Sequence, residues 1–120
     1  MAFFTTRRVF LAGSGALAST SLQPDAVAAI VSRHDGLIED LLRRQVTDSA
    51  SIWCGGFPDA FELHHAGSAA NALETFMAGF LHPASRFHRS SELARRLRLA
   101  ASFLTRFQRE SGNIDLLITN

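Results

Sequence analysis

The chain holds no lysine, no tyrosine, one cysteine and one tryptophan in 120 residues. A lone cysteine cannot close an internal disulfide, so Cys54 gives no framework of cross-links and reads as a small buried hydrophobe. The twelve basic residues are all arginine, a choice better explained by genome composition than by phosphate binding, and a net charge of +1 argues against a general nucleic-acid binder. No G-x-S-x-G, Walker or G-x-G-x-x-G pattern occurs. His34, His82 and His88 lack the short regular spacing of a zinc site, and the adjacent His64 and His65 cannot both face one way on a helix or strand. Neither a metal nor a cofactor is expected. What is present is an apolar fraction of 47% with ten phenylalanines, enough for one modest globular domain.

Residues 1–28 read as a targeting peptide and 29–120 as the domain. Thr6-Arg7-Arg8-Val9-Phe10-Leu11 resembles the twin-arginine motif of bacterial Tat signals, with Arg7 and Arg8 as the pair. Val9 to Ala18 forms a mildly apolar core, shorter than the roughly 20 residues that cross a bilayer, so contact with the membrane is expected only during export. Two small-residue cleavage patterns follow, Ala16-Leu17-Ala18 and Ala26-Val27-Ala28, of which the second leaves a fuller polar segment after the core. The alternative is an N-terminal amphipathic helix that stays on the mature protein. Under the signal reading the partner is the Tat translocase and the destination periplasmic or extracellular, and the remaining domain is formally neutral.

The rest of the chain predicts an all-α fold of helical hairpins with three principal helices, near 30–46, 66–81 and 90–110. In the first, Ile30, Val31, Leu37, Ile38, Leu41 and Leu42 recur at helical spacing, Glu39 stands four before Arg43, and Pro24 offers an earlier start in the precursor. The second has only Asn71, Glu74 and Thr75 as a polar strip, which predicts burial on most sides, and its small first turns permit close approach of a backbone or ligand. Pro83 ends it. In the third, Ser90 is the N-cap, Leu93, Leu97, Ala100, Leu104 and Phe107 make the buried stripe, and Gly112 is the expected C-cap. Its arginines, Arg95, Arg98, Arg106 and Arg109, read as a solvated face that could also meet an anion. The apolar run Leu116-Leu117-Ile118 has nothing after it to pack beneath, which suggests a truncated chain.

Between the first two helices, Trp53 to Ser68 forms a long connection broken by Gly55-Gly56 and Phe57-Pro58. Long ordered loops often carry function. Trp53 could serve as an aromatic platform, Asp59 or Glu62 could accept from hydroxyls, and Glu62 with His64 could act as an acid/base pair. His65 completes the candidate set, and Cys54 with His64 or His65 is a weaker nucleophile pair. Capping and packing are the favoured account of the same residues.

Gly55-Gly56-Phe57-Pro58 through His65-Ala66-Gly67-Ser68, then Ser85-Arg86-Phe87-His88-Arg89-Ser90 and Gly112-Asn113-Ile114-Asp115-Leu116-Leu117, resemble the N-terminal part of exported bacterial (α/α)-toroid proteins of the heparinase II/III-like family. The resemblance covers about residues 30 to 120. It implies a polysaccharide-binding cleft and a lyase that abstracts a proton beside a uronic-acid carboxylate, commonly with a Tyr or His base. An acidic polysaccharide would then be the partner. This chain has no tyrosine and is far shorter than a complete toroid, so a piece that does not catalyse alone is expected; a small non-catalytic helical interaction module is the other reading. Replacing Arg7 and Arg8 together by lysine in a reporter fusion is expected to abolish export. Continued export of that double variant would exclude the Tat route.

Overall fold

The computed structural model describes residues 23–115 and 117–118. Arg7, Arg8 and Ala16-Leu17-Ala18 lie outside the described residues. The chain runs α1 (Pro24–Arg44), β1 (His64–His65), α2 (Ala66–Leu81), α3 (Ser91–Arg106) and β2 (Leu117–Ile118). The architecture is helical, as expected. Its only sheet among the described residues is a two-residue antiparallel pair, His64 opposite Ile118 and His65 opposite Leu117. Ile118 is buried in the core.

α1 begins at Pro24 rather than Ile30, because proline fits the first turn, where its missing N–H costs nothing, and Asp25 sits against the positive end of the dipole. Ala26-Val27-Ala28 thus stands in the opening turns of this helix. The buried face also differs from the expected stripe. Ile30 and Leu37 are more than half exposed, whereas Asp35 and Ile38 are buried. Asp35 earns its place through partners: its carboxylate accepts from Ser85 Oγ and from the backbone N–H of Arg86 at 3.0 Å. That latch fixes the α2–α3 connection to α1. Glu39 pairs with Arg86 at 2.8 Å instead of Arg43, which turns to Asp40.

α2 stops at Leu81 with His82 extended, as Pro83 requires. Its small residues allow the close approach: Ala69, Ala72 and Gly79 are buried, and a Cβ on Gly79 would lie 2.2 Å from Ile38 Cδ1. The expectation of burial on most sides fails. Met77 and Leu81 face outward, because α1 and α3 cover only two flanks of the helix. α3 is capped by Ser90, whose side chain accepts from the Leu93 N–H at 3.3 Å, and it buries Leu93, Leu97, Ala100 and Phe103. It ends at Arg106 rather than near 110. Gly112, at φ 87°, shapes a separate turn that closes with its N–H on Arg109 O, so it is not the helix cap. The core is an aromatic and aliphatic cluster around Phe76, Phe103, Ile38 and Leu93, with Phe57 edge-on to Phe76 at 5.9 Å.

The long connection folds onto α3. Val46 and Gly55 exchange backbone hydrogen bonds with Gly56 and Val46 at 3.0 and 2.7 Å, and Gln45 joins the same corner by donating to Gly55 O and Arg96 O. Arg96 returns the link to Leu42 O at the end of α1, a favourable place for a cation. Gly55 holds φ 93°, and a Cβ there would fall 2.0 Å from Leu99 O. Gly55→Ala is therefore expected to destabilise the fold by about 3 kcal/mol in urea unfolding, combining a left-handed backbone with overpacking. Gly36→Ala, with nothing near its Cβ in mid-helix, is expected to stabilise by about 0.5–1 kcal/mol. Equal small effects at both positions would contradict this packing.

Candidate functional site

Residues 58–64 form a tight hairpin, bridged from Pro58 to His64 and closed by the Asp59 N–H on Leu63 O at 2.9 Å. Asp59 organises it. One carboxylate oxygen accepts from the N–H groups of Phe61 at 2.8 Å and Leu63 at 3.0 Å, and the other meets His65 Nε2 at 3.0 Å. The Leu63 and Phe61 amides, then His65, hold the Asp59 carboxyl below its usual value, because all three favour the charged form. Glu62 supplies the turn's left-handed residue, at φ 61°, and stands exposed.

The alternation of β1 sends the two histidines apart. His65 points to Asp59 at the surface, while His64 is 5% exposed and lies flat on Trp53, ring centroids 4.3 Å apart and 5° from parallel. Phe107 also stacks on Trp53, at 5.6 Å. Phe103 closes the cluster at 5.9 Å from His64 and 5.0 Å from Phe107. The indole is engaged in packing with both rings, and no hydrogen bond joins His64 to Glu62 or to Cys54 among the described residues. The loop brings Asp59 and His65 together at the surface, takes His64 into the interior and leaves Trp53 partly buried against the core.

One of several clefts among the described residues borders the hairpin. A cleft of about 210 Å³ runs between the end of α1, the hairpin and the first turns of α2, where Arg44, Asp59, Ser68, Asn71 and Thr75 bring polar groups to walls of Leu41, Phe57 and Pro58. Arg44 directs Nε to Asp40 at 3.0 Å, which leaves its terminal N–H groups for another acceptor. Thr75 Oγ1 donates to Asn71 O at 2.9 Å and so keeps its lone pairs for a donor. Ser68, Asn71 and Thr75 follow the three-then-four spacing that puts them on one helix face, a signal partly visible in the polar strip of the sequence. Arg44 carried no such signal, since only the chain reversal sets it beside Asp59.

Of the arginines expected to line the outer face of α3, Arg98 is exposed with no hydrogen bond or ion pair among the described residues, and the others have partners. Arg95 grips Glu92 through two hydrogen bonds, and with Arg96 it pushes the Glu92 carboxyl down to about 2. Arg106 donates to Cys54 O, and Arg109 pairs with Asp115 at 2.6 Å. No group of three or more potential metal ligands, and no helix long and apolar enough to cross a membrane, occurs among the described residues. Compared with family models, curated proteins and solved structures, the chain has no match in any of the three.

Burial holds His64 below the ordinary histidine value of 6.5, with Glu62 and Asp59 pulling it back up and His65 opposing them. The folded state therefore binds this proton less readily than the unfolded chain. The contribution of neutral His64 is full above pH 6.5 and is lost as pH falls from there to the lower folded value. Its Nδ1 has no partner, so His64→Phe is expected to flatten the stability slope in that window, read by denaturation at stepped pH. An unchanged slope would place the titration elsewhere.

Proposed function

We propose that this chain is an exported helical unit that holds a hydroxylated, carboxylate-bearing sugar in the cleft between α1, α2 and the Asp59 hairpin. On this reading it is the N-terminal portion of a larger polysaccharide-degrading (α/α) toroid, similar to the heparinase II/III-like family, and does not catalyse alone. The observation that carries the reading is the make-up of the cleft, one guanidinium, one carboxylate, one amide and two hydroxyls over an apolar floor. A few convergent polar groups on apolar walls is the usual form of a small-ligand site. Arg44 suits the uronate carboxylate, Asn71 and Ser68 suit ring hydroxyls, and Asp59, held in place by His65, supplies an acceptor. Trp53 and His64 then act as the support on which the hairpin rests. Export through the Tat translocase to the periplasm or beyond is motivated by Arg7-Arg8 and the apolar stretch after them.

The second reading, a non-catalytic helical interaction module, is favoured by the outer face of α2, where Met77 and Leu81 are 45% and 63% exposed. Calorimetric titration with uronic-acid oligosaccharides and with neutral oligosaccharides of equal length separates the two. Binding confined to the uronates, and weakened about tenfold by Arg44→Ala or Asn71→Ala, is expected, the loss of one charge-assisted or well-placed contact. No uronate binding, or binding lost only on Arg98→Ala, would reject the cleft.

A further inference from the structure

Between Phe57 and Ala69 the chain buries one residue, His64. Every residue from Pro58 to Leu63 is exposed or half-buried, so this histidine is the only anchor that the hairpin sets into the interior. The turn itself is self-contained, since the Asp59 carboxylate takes the Phe61 and Leu63 amides. It can therefore move as one piece. The ladder that holds β1 to β2 is two residues long, and a strand pair of that length is marginal without side-chain burial.

The anchor belongs to the residue type whose charge changes near neutral pH. A protonated imidazole carries two N–H donors, and His64 Nδ1 is shut from water without an acceptor. The peptide beneath it is already close, since a Cβ on Gly56 would lie 2.8 Å from that nitrogen. The surfaces around the ring bring no countercharge: Trp53 and Gly56 from the loop, Phe103 from α3, Ile118 from β2, and a first turn of α2 without an acid. The charged groups that act on it are burdened by burial, which outweighs the pull of Glu62 and Asp59 toward the proton, and His65 opposes that pull. Outside the stack the same imidazolium would sit in water beside Glu62. We infer that His64 is a pH-operated latch: on taking a proton it leaves Trp53 and Phe103 and releases the 58–65 hairpin, while the three helices stay folded. Because Asp59 rides on that hairpin, the release also takes one wall from the cleft beside Arg44. The latch stands without the glycan reading, and no ligand is needed to see it.

The closed form binds the proton less readily than the open one, so the open-to-closed ratio rises as pH falls below 6.5, by at most about tenfold per pH unit for one proton. Proton NMR of the full chain tests it. At about pH 8 the His64 ring should show NOEs to the rings of Trp53 and Phe103, and at about pH 5 these should be lost while NOEs within the helical core around Ile38 and Phe76 persist. His64→Phe, which keeps a ring and removes the proton site, should hold the amides of residues 58–65 at their alkaline shifts across the range. His65→Gln should leave the transition in place. Persistence of the stack NOEs at the acid end in the wild type overturns the proposal, as does loss of the core NOEs in the same step, which would make the event global unfolding. A transition kept by His64→Phe, or removed by His65→Gln, overturns it too, and the wild-type NOEs decide the matter should His64→Phe not fold.

Discussion

The close approach of the Gly55-Gly56 backbone to α3 is the constraint on which the rest of this structure depends. A side chain at Gly55 would overlap Leu99 O, and one at Gly56 would come within 3.0 Å of His64 Nδ1 and Phe103. With two side chains absent, the peptide itself becomes the wall of the core. That brings the N–H and C=O groups of the loop into the interior, where they must be paired, and the exchange with Val46 and the fork of Gln45 between Gly55 O and Arg96 O meet the requirement. The end of α1, the loop and α3 are joined at this one corner. Their aromatic continuation is the stack of Phe107, Trp53 and His64 beside Phe103.

From that corner the position of the surface cleft follows. The backbone leaves the glycines with Phe57 against Phe76, turns at Asp59, and returns as β1 directly into α2. Because successive residues of an extended segment point to opposite sides, the return places His64 in the aromatic stack and His65 at the Asp59 carboxylate. Asp59 serves two purposes with one group: it satisfies the amides of its own turn and presents charge to the cleft beside Arg44. The hairpin thus forms one edge of the cleft.

The helices were legible from periodicity and punctuation. Pro24, Pro83 and Ser90 mark helix boundaries by mechanisms that act within a turn, so they need no tertiary information. Faces were harder. On α1 the spacing of Ile30 and Leu37 points to the core side, yet both are more than half exposed and Asp35 is buried instead, because Ser85 and the Arg86 amide, about fifty residues away, supply its hydrogen bonds. The same limit applies to the candidate site. Trp53 and His64 stand out in the sequence by residue type and are set by packing of the loop on α3, whereas Arg44 lies fourteen residues before the hairpin and gains its place only by chain reversal. Gly112 marks a position that needs special backbone geometry, yet only the Arg109–Asn113 pairing makes it shape the next turn and not the helix end.

A loop folded as core should behave as core in solution. Native-state hydrogen exchange of the backbone amides of Val46, Gly55 and Gly56, against those of Ala100 and Phe103 in the middle of α3, measures this directly. All three loop amides donate to backbone carbonyls within the corner. Protection within about tenfold of the α3 centre is predicted, since the corner and the helix open together in one cooperative unit. Exchange at the rate of an unstructured loop, with α3 still protected, would contradict the account.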